Sequence, residues 1–442
     1  MNSWFKWCLL MTFSTCLFAQ DSENVDLLFH WQEDSLVGSQ IFDNTYNEVW
    51  GLVYQEREYA IIGSTAGTHF FDVTNSQNMQ EVAFVAGRIQ GPEIIHRDYH
   101  DFKNYLYAVS DEGQSSLQII DFSYLPDSVS LVYDSSDLFE RSHNIFIDTA
   151  TAKLYTTNGT IYSLENPINP TLLYSTDLLI SHDFYVQNDT AYINGGSGGF
   201  FILDFTQTSL ENQSHEVLGS LITYPDQGYN HSGWITPDGN YYVMADENWG
   251  MRMKMLDISD FSNIQVIALF GSNVDSNSIP HNQIIKGNYL YTAYYHDGLY
   301  VHDITNPLQP ILLGYYDTFS PNHHESYMGA WGVYPFLPSG KILVSDMQTG
   351  LYVFDVNYDH PIASTHESIF TNGTLFPNPA SENITIKLGE QSVSDIKLYN
   401  SKGGCVYQSN IISPYHQIDV SQFSSGLYFL KTETETYKLI VE

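Results

Sequence analysis

Residues 281–314 read HNQIIKGNYLYTAYYHDGLYVHDITNPLQPILLG. The stretch contains four short runs rich in β-branched and aromatic residues, at 281–285, 289–293, 298–304 and 310–314. Glycine, asparagine, aspartate and proline separate the runs, and these residues are typical of turns between strands. The stretch therefore predicts four consecutive strands of one antiparallel sheet.

The same pattern recurs along the chain, so residues 281–314 are one copy of a repeat. The copies begin with His or Trp at Trp50, His96, His143, His182, His231, His281 and Trp331. Successive starts lie 39 to 50 residues apart. A four-stranded repeat of roughly 40–50 residues is typical of a β-propeller blade. The sequence therefore predicts an all-β protein with a seven-bladed β-propeller.

Most repeats carry an aspartate between apolar residues in the third run. These aspartates are Asp72, Asp121, Asp204, Asp257, Asp303 and Asp355. In the third repeat the equivalent residue is Ser163. An aspartate at a strand end accepts hydrogen bonds from the backbone N–H groups of the next turn. We therefore interpret these residues as structural and not catalytic.

The seventh repeat ends near Val356 after three runs, one fewer than the others. The run 25–31 near the N-terminus resembles the fourth runs of other repeats, such as 80–84 and 264–268. We expect it to complete the last blade, which would close the propeller and remove its exposed edges. The predicted propeller domain covers residues 21–358.

The first 20 residues are predicted to be a signal peptide. Lys6 precedes an apolar run at 7–19, and Ala19 offers a small residue before cleavage. Cys8 and Cys16 would be removed with it, and Cys405 alone cannot form a disulfide within the chain. The remaining sequence contains no segment that predicts a transmembrane helix. The mature protein is thus expected outside the cytoplasm.

The charge balance excludes one class of partner. The chain has 16 Lys and Arg residues against 51 Asp and Glu, with a net charge of −35. Nucleic-acid binding requires basic residues to neutralise phosphates, so we expect no nucleic-acid partner. The acidic residues are scattered and lack calcium-loop spacing, which favours a role in solubility.

The C-terminal residues have a different organisation. Residues 359–371 are interpreted as a linker and 372–442 as a small Ig-like β-sandwich of short strands with glycine turns. The segment resembles the C-terminal sorting domain of the type IX (Por) secretion system. Its matching elements are Pro377-Asn378-Pro379, 398–400, 426–429 and 438–441. The resemblance implies the type IX machinery as a partner, and export to the extracellular space or the outer cell surface.

The propeller region resembles LVIVD repeats and, more broadly, the choice-of-anchor B family. The stretches that carry this resemblance are residues 229–234, 245–248, 280–282 and 329–340. Members of this family are named for their varied C-terminal anchors, and a type IX sorting domain fits that description. The resemblance implies architecture and location, and it implies no reaction.

Five repeats begin with His followed by a polar residue, at the start of the strand that lines a propeller's channel. His143, His182, His231 and His281 are expected to converge there and are candidate ligands for a divalent metal ion, since imidazole binds zinc, copper, nickel and iron. His96 is a weaker candidate because His100 competes for its position. Repetition also favours a structural role, with imidazoles bridging neighbouring blades. Both interpretations remain open.

Loops between the second and third strands form a second ring at the channel mouth. Most are hairpin turns, but residues 246–249 exceed what a turn requires. The residues predicted to contact a ligand there are Asp98, Asp183, Asp246, Glu247 and Asn282. The cofactor, if any, is unknown from sequence beyond the divalent metal considered above.

Three functions fit this architecture. The first is a secreted or cell-surface binding module for an extracellular glycan, peptide or protein ligand of unknown identity. The second is a metal-dependent hydrolase or lyase that uses the histidine ring. The third is a structural component of the cell surface. Fold alone does not distinguish them, and the first agrees best with the absence of a recognisable catalytic motif.

Overall fold

The computed structural model describes most of the propeller region and much of the C-terminal part. The described residues are 21–175, 182–321, 323–358, 374–376, 380–381, 383–387, 394–400, 402–411, 415–431 and 436–441. The predicted signal peptide, the linker and the Pro377-Asn378-Pro379 motif lie outside them. The chain forms two compact units, one with the propeller strands and one with the C-terminal strands. The domain boundaries given above remain predictions.

The first two strands, β1 (Ser22–Glu23) and β2 (Val25–Trp31), pair with strands far along the sequence. The first three complete blades then follow in chain order. Blade one contains β3 (Tyr46–Tyr54), β4 (Arg57–Ser64), β5 (Gly67–Asp72) and β6 (Gln80–Ala86). Blade two contains β7 (Arg97–Phe102), β8 (Tyr105–Ser110), β9 (Leu117–Asp121) and β10 (Ser130–Ser135). Blade three contains β11 (Ile145–Asp148), β12 (Lys153–Thr156), β13 (Thr160–Ser163) and β14 (Thr171–Ser175).

Blades four to seven repeat the same antiparallel order. Blade four contains β15 (Asp183–Gln187), β16 (Thr190–Asn194), β17 (Phe200–Asp204) and β18 (Glu216–Leu221). Blade five contains β19 (Asn230–Ile235), β20 (Tyr241–Asp246), β21 (Met253–Asp257), a short 3-10 turn (Phe261–Asn263) and β22 (Gln265–Phe270). Blade six contains β23 (Asn282–Lys286), β24 (Tyr289–Ala293), β25 (Leu299–Asp303) and β26 (Ile311–Tyr316). Blade seven contains β27 (Ala330–Tyr334), β28 (Ile342–Asp346) and β29 (Gly350–Val356).

Blade seven obtains its fourth strand from the N-terminus. β2 pairs antiparallel with β29, with Val25 opposite Val356 and Trp31 opposite Leu351. Each innermost strand contacts the innermost strand of the next blade, including β27 against β3. The predicted β-propeller and its N-terminal closing strand are therefore confirmed. One feature was not predicted: β1 pairs with β26 and extends blade six.

Apolar side chains fill the interfaces between neighbouring blades. Between blades one and two, Tyr59, Ile61 and Phe70 pack with Leu106 and Ile120, and all five are fully buried. A single four-stranded sheet cannot bury both of its faces, so each blade depends on its neighbours. Burial of apolar surface stabilises these interfaces by about 25 cal/mol per Å².

The aspartate of the third strand makes the predicted turn contact. Asp72 Oδ1 accepts a hydrogen bond from Thr74 N at 3.0 Å. The same bond, from the residue two positions later, is made by Asp121, Asp204, Asp257 and Asp303. In the third repeat, Ser163 Oγ accepts from Glu165 N at 3.2 Å, so serine makes the equivalent contact. The structural interpretation is confirmed for these residues, whereas after Asp355 the N–H of Asn357 donates to the backbone oxygen of Asn24.

The C-terminal unit contains two antiparallel sheets. One consists of β30 (Thr374–Phe376), β31 (Asn383–Lys387) and β34 (Tyr415–Asp419), and the other of β32 (Ser394–Asn400), β33 (Cys405–Ile411), β35 (Gly426–Lys431) and β36 (Thr436–Val441). Ile384 and Ile418 of the first sheet share a core with Leu398, Leu430 and Leu439 of the second. The predicted sandwich is confirmed, although the sequence interpretation missed β30 and β33. Among the described residues, no helix has the length and apolar character required to cross a membrane.

Replacing Trp31 tests the contribution of the closing strand. Its indole lies 4.7 Å from the ring of Phe71 and 5.5 Å from that of Tyr46, both in blade one. We expect Trp31→Ala to lower the free energy of unfolding in urea by about 2–4 kcal/mol, because it leaves a gap between blades seven and one. The matched control is Trp249→Ala, whose side chain is 42% exposed. Equal losses in the two variants would contradict the closure account.

Candidate functional site

The predicted channel histidines form a continuous stack around the channel axis. The histidine stack contains one side chain from each of six blades, namely His96, His143, His182, His231, His281 and Trp331. Centroids of successive rings lie 4.0 to 4.7 Å apart. The ring centroids of Trp331 and His96, the last and first members, lie 5.4 Å apart, so the six side chains form a closed circle. The repeated His positions therefore converge, as the repeat pattern predicted.

Trp50, assigned from sequence as the start of the first repeat, lies in a different layer of the channel. Its ring is 4.6 Å from that of His100 and 4.9 Å from that of Tyr334. His96, and not His100, is the stack member contributed by the second repeat. The sequence alignment of the first repeat was therefore wrong, and the ambiguity between His96 and His100 is resolved.

Within the described residues, the stack brings together two groups of metal-ligating side chains. The groups are His182 with His231 and Glu247, and His96 with Asp111 and His143. In each group, one donor atom per residue lies within 4.8 Å of the others. In the second group, His143 Nδ1 is 3.1 Å from Asp111 Oδ2, and this hydrogen bond lowers the pKa of Asp111.

His281 is held differently from the other predicted metal ligands. Its side chain is fully enclosed, and burial lowers its pKa to about 3. Nδ1 lies 2.5 Å from the backbone oxygen of Trp331 and is therefore the donor of this hydrogen bond. His281 is thus a neutral member of the stack with one ring nitrogen committed to the neighbouring blade.

Next to the histidine stack, a polar layer surrounds a cavity of about 70 Å³. The polar layer consists of Glu48, Asp98, Asn144, Asp183, Ser232 and Asn282. Asn282 Nδ2 donates to Glu48 Oε2 at 2.8 Å, and Ile145 N donates to Asp98 Oδ2 at 2.7 Å. A polar cavity of this volume has room for a few water molecules.

The carboxyl groups of the polar layer are held away from solvent by the surrounding strands. Burial raises the pKa of Glu48 to about 8 and that of Asp183 to about 6. Burial, reinforced by the charge of Glu48, raises the pKa of Asp98 well above its ordinary value. With a pKa of about 8, Glu48 is therefore mostly protonated at neutral pH, so it can donate as well as accept hydrogen bonds, and burial likewise disfavours the ionised form of Asp98.

On the other side of the polar layer the channel widens into a cavity of about 300 Å³, the aromatic cup. Its ring-bearing side chains are Trp50, His100, Phe146, Tyr185, Trp234, Tyr334 and Phe336. Tyr185 packs edge-on against Trp234 at 4.7 Å between centroids. Gln187 and Asn188 add polar groups to the wall. The cup and the polar cavity share Trp50, His100, Phe146 and Trp234, so they are consecutive sections of one channel.

The residues predicted to contact a ligand occupy different places. Asp98, Asp183 and Asn282 line the polar cavity. Glu247 belongs to one of the two groups of side chains that could hold a metal ion. Asp246 is instead fully buried and accepts hydrogen bonds from Lys254 Nζ at 2.7 Å and Tyr224 Oη at 2.9 Å. These contacts indicate that Asp246 has a structural role and is not part of the candidate site.

The sequence interpretation missed Glu48 and the aromatic cup. The cup had a detectable signal, because an aromatic residue follows the polar channel residue by two positions in several repeats. Examples are Asp183 with Tyr185 and Ser232 with Trp234. Residues two apart in a strand share a face, so this spacing places both layers along the channel. Glu48 was missed because no histidine precedes it in blade one, so Trp50 was taken as the start of the repeat.

Comparisons with known proteins identify both parts of the chain. Residues 374–442 match the family of secretion system C-terminal sorting domains, and residues 282–318 match an LVIVD repeat. The chain therefore contains an LVIVD repeat within its β-propeller and a C-terminal sorting domain, as these two resemblances in the sequence implied. Such a domain indicates export by the type IX system to the cell surface or the extracellular space.

Similar individual proteins include one enzyme and two solved structures. β-Agarase A of Zobellia galactanivorans is 30% identical over 77 residues, which are 17% of this chain and 14% of that protein. PorZ, an essential surface component of the type IX secretion system of Porphyromonas gingivalis, has 13% identity and a TM-score of 0.47, over 93% of this chain and 61% of its own. YCF48 bound to D1 peptide has 12% identity and a TM-score of 0.47, over 73% of this chain and 98% of its own.

Removing the carboxyl group of Glu48 tests the electrostatics of the polar layer. Burial raises its pKa in the folded protein from 4.5 to about 8. Between these values the folded protein binds more protons than the unfolded chain, so its stability falls as the pH rises. Urea titrations measure the free energy of unfolding of Glu48→Gln and of the wild type. We expect the wild type to lose stability relative to Glu48→Gln as the pH rises from about 5 to about 8.

The matched control is Glu58→Gln. Burial opposes its ionisation, but hydrogen bonds from Ser339 and Lys341 lower the pKa of Glu58 overall. This carboxylate stabilises the fold across the same range, so its removal should lower stability by a nearly constant amount. A constant difference for Glu48→Gln as well would contradict the environment described for the polar layer.

Proposed function

We propose that this protein is an exported binding module whose propeller receives the end of a neutral carbohydrate chain in the aromatic cup. The main support for this proposal is the cavity of about 300 Å³, which is lined by seven ring-bearing side chains. Ligand pockets commonly combine aromatic walls with a few polar groups that fix orientation. The cup has both, with Gln187 and Asn188 at its wall and the polar layer at its base.

The dimensions of the cup favour a narrow ligand over a broad protein surface. Stable protein–protein interfaces bury roughly 1,200–2,000 Å² and involve flat or gently curved patches. A recessed cup at the end of the channel instead admits a single sugar unit or a similarly compact group. Phe336, 36% exposed, is accessible at its margin, where a longer chain could continue into solvent.

Charge supports a neutral carbohydrate. The chain carries a net charge of −35, and the base of the cup is bordered by Glu48, Asp98 and Asp183. The net negative charge, together with Asp183, whose pKa of about 6 leaves it mostly ionised at neutral pH, disfavours an acidic ligand by repulsion. Sugar hydroxyls both donate and accept hydrogen bonds, which suits protonated carboxyl groups and the amide of Asn282.

Replacing Trp234 tests the role of the cup. Trp234 lines both cavities and packs against Tyr185, so its loss removes a central part of the wall. In a tryptophan-fluorescence titration with a panel of short neutral oligosaccharides, we expect Trp234→Ala to weaken binding of the best ligand by roughly 30-fold, or about 2 kcal/mol.

Trp249→Ala is the control, because Trp249 contacts Tyr327 and does not line the cup. It should bind with the affinity of the wild type, and acidic oligosaccharides should not bind to either protein. Absence of binding throughout the neutral panel, or equal affinity of Trp234→Ala and the wild type, would contradict the proposal.

Deleting residues 374–442 tests the export route. We expect the truncated propeller to remain in the periplasm, because the sorting domain directs passage through the outer membrane. The measurement is immunodetection in periplasmic and extracellular fractions of a cell with a type IX system. The reciprocal control fuses residues 365–442 to a periplasmic passenger, which should appear outside. Export of the truncated protein at the normal level would contradict this route.

A further inference from the structure

Three side chains on neighbouring blades converge at the histidine stack, at the opposite end of the polar layer from the cup. His182 lies directly before β15, His231 lies in β19, and Glu247 follows β20. One donor atom from each lies within 4.8 Å of the other two. Two imidazoles and one carboxylate form a ligand set that proteins use for zinc and for iron(II).

Both histidines have a ring nitrogen that is buried without a protein partner. His231 is 2% exposed, and neither His231 Nδ1 nor His182 Nδ1 makes a hydrogen bond within the described part of the chain. A buried nitrogen without a partner is costly, because it has lost its interaction with water.

The other ring nitrogens have partners that orient the imidazoles. The ring of His182 bonds to the backbone of His231, and the ring of His231 bonds to the backbone of His281. Metal-ligating histidines in proteins commonly use their second nitrogen in this way, which fixes the ring and its tautomer. The continuous stack therefore supplies orientation that an isolated pair of histidines would lack.

Glu247 is also held in position. Tyr295 Oη donates to its Oε1 at 2.5 Å, and Oε2 lies 3.7 Å from His231 Nε2. An ion bound by tetrahedral ligands at about 2.1 Å needs donors roughly 3.4 Å apart. The 3.7 Å distance involves Nε2 of His231, which bonds to the backbone of His281, and the donor atoms of the three residues lie within 4.8 Å of one another, so the side chains must move closer to enclose an ion at the free Nδ1.

We propose that His182, His231 and Glu247 bind one divalent transition-metal ion, with Tyr295 positioning the carboxylate. The site is separate from the carbohydrate cup and does not depend on the function proposed for it. We choose zinc for the test, because calcium and magnesium prefer oxygen ligands whereas zinc binds imidazole well. With three protein ligands, the ion retains an open coordination position.

The test uses the full exported chain after metal removal with a chelator, followed by titration with zinc and with cobalt. The wild type should bind zinc saturably, and cobalt should produce the visible absorption of a low-coordinate imidazole site. Glu247→Gln should lose this absorption and weaken zinc binding by at least tenfold. Tyr295→Phe keeps all three ligands and should weaken zinc binding by about 10- to 100-fold.

Glu112→Gln is the matched control, because Glu112 also pairs with a stack histidine, His96, but lies outside the proposed ligand set. It should retain the cobalt absorption of the His182 site. Near-ultraviolet circular dichroism checks that each variant is folded. No saturable zinc binding by the wild type, or equal zinc binding by folded Glu247→Gln and the wild type, would overturn the proposal and leave the histidines as a packing stack.

Discussion

The pairing of β2 with β29 is the interaction on which the rest of the propeller depends. It joins the N-terminal strand to the last blade, with Val25 opposite Val356. Without it, blade seven would present an unpaired edge, and the contact between β27 and β3 would lose its support. The channel exists because the innermost strands converge, and they converge because the circle of blades is closed.

Closure then organises the channel into layers. Because side chains alternate along a strand, equivalent positions on successive blades produce a histidine stack, a polar layer and an aromatic cup. The layers differ in chemistry. The stack presents imidazole rings, the polar layer holds carboxyl groups whose pKa values are raised by burial, and the cup exposes aromatic surface. A single repeated strand geometry therefore places two chemically different candidate sites along one channel.

The fold was predictable because its signals are local and repeated. The turn aspartates, the four runs per repeat and the spare strand at 25–31 each follow from spacing alone. The convergence of His143, His182 and His231 followed from the same spacing. The sequence interpretation failed in blade one, where no histidine precedes Glu48, so Trp50 was taken as the start of the repeat and Glu48 was overlooked.

Side-chain partners across blades could not be read from the repeat at all. Asp246 and Glu247 are adjacent in sequence, yet one pairs with Lys254 in a buried ion pair and the other faces His231. The two side chains have different partners because strand β20 ends between them and because other parts of the chain hold each one. Tyr224 bonds to Asp246, and Tyr295 bonds to Glu247. Pattern alone drew attention to the loop and could not separate the environments of its two acidic residues.

Hydrogen exchange of the backbone amides in β2 tests the closure of the propeller most directly. β6 is the internal reference, because it is the outermost strand of blade one just as β2 is of blade seven. The account predicts that amides of β2 bonded to β29 exchange as slowly as those of β6. Rapid exchange throughout β2, with β6 and β29 still protected, would contradict closure by the N-terminal strand.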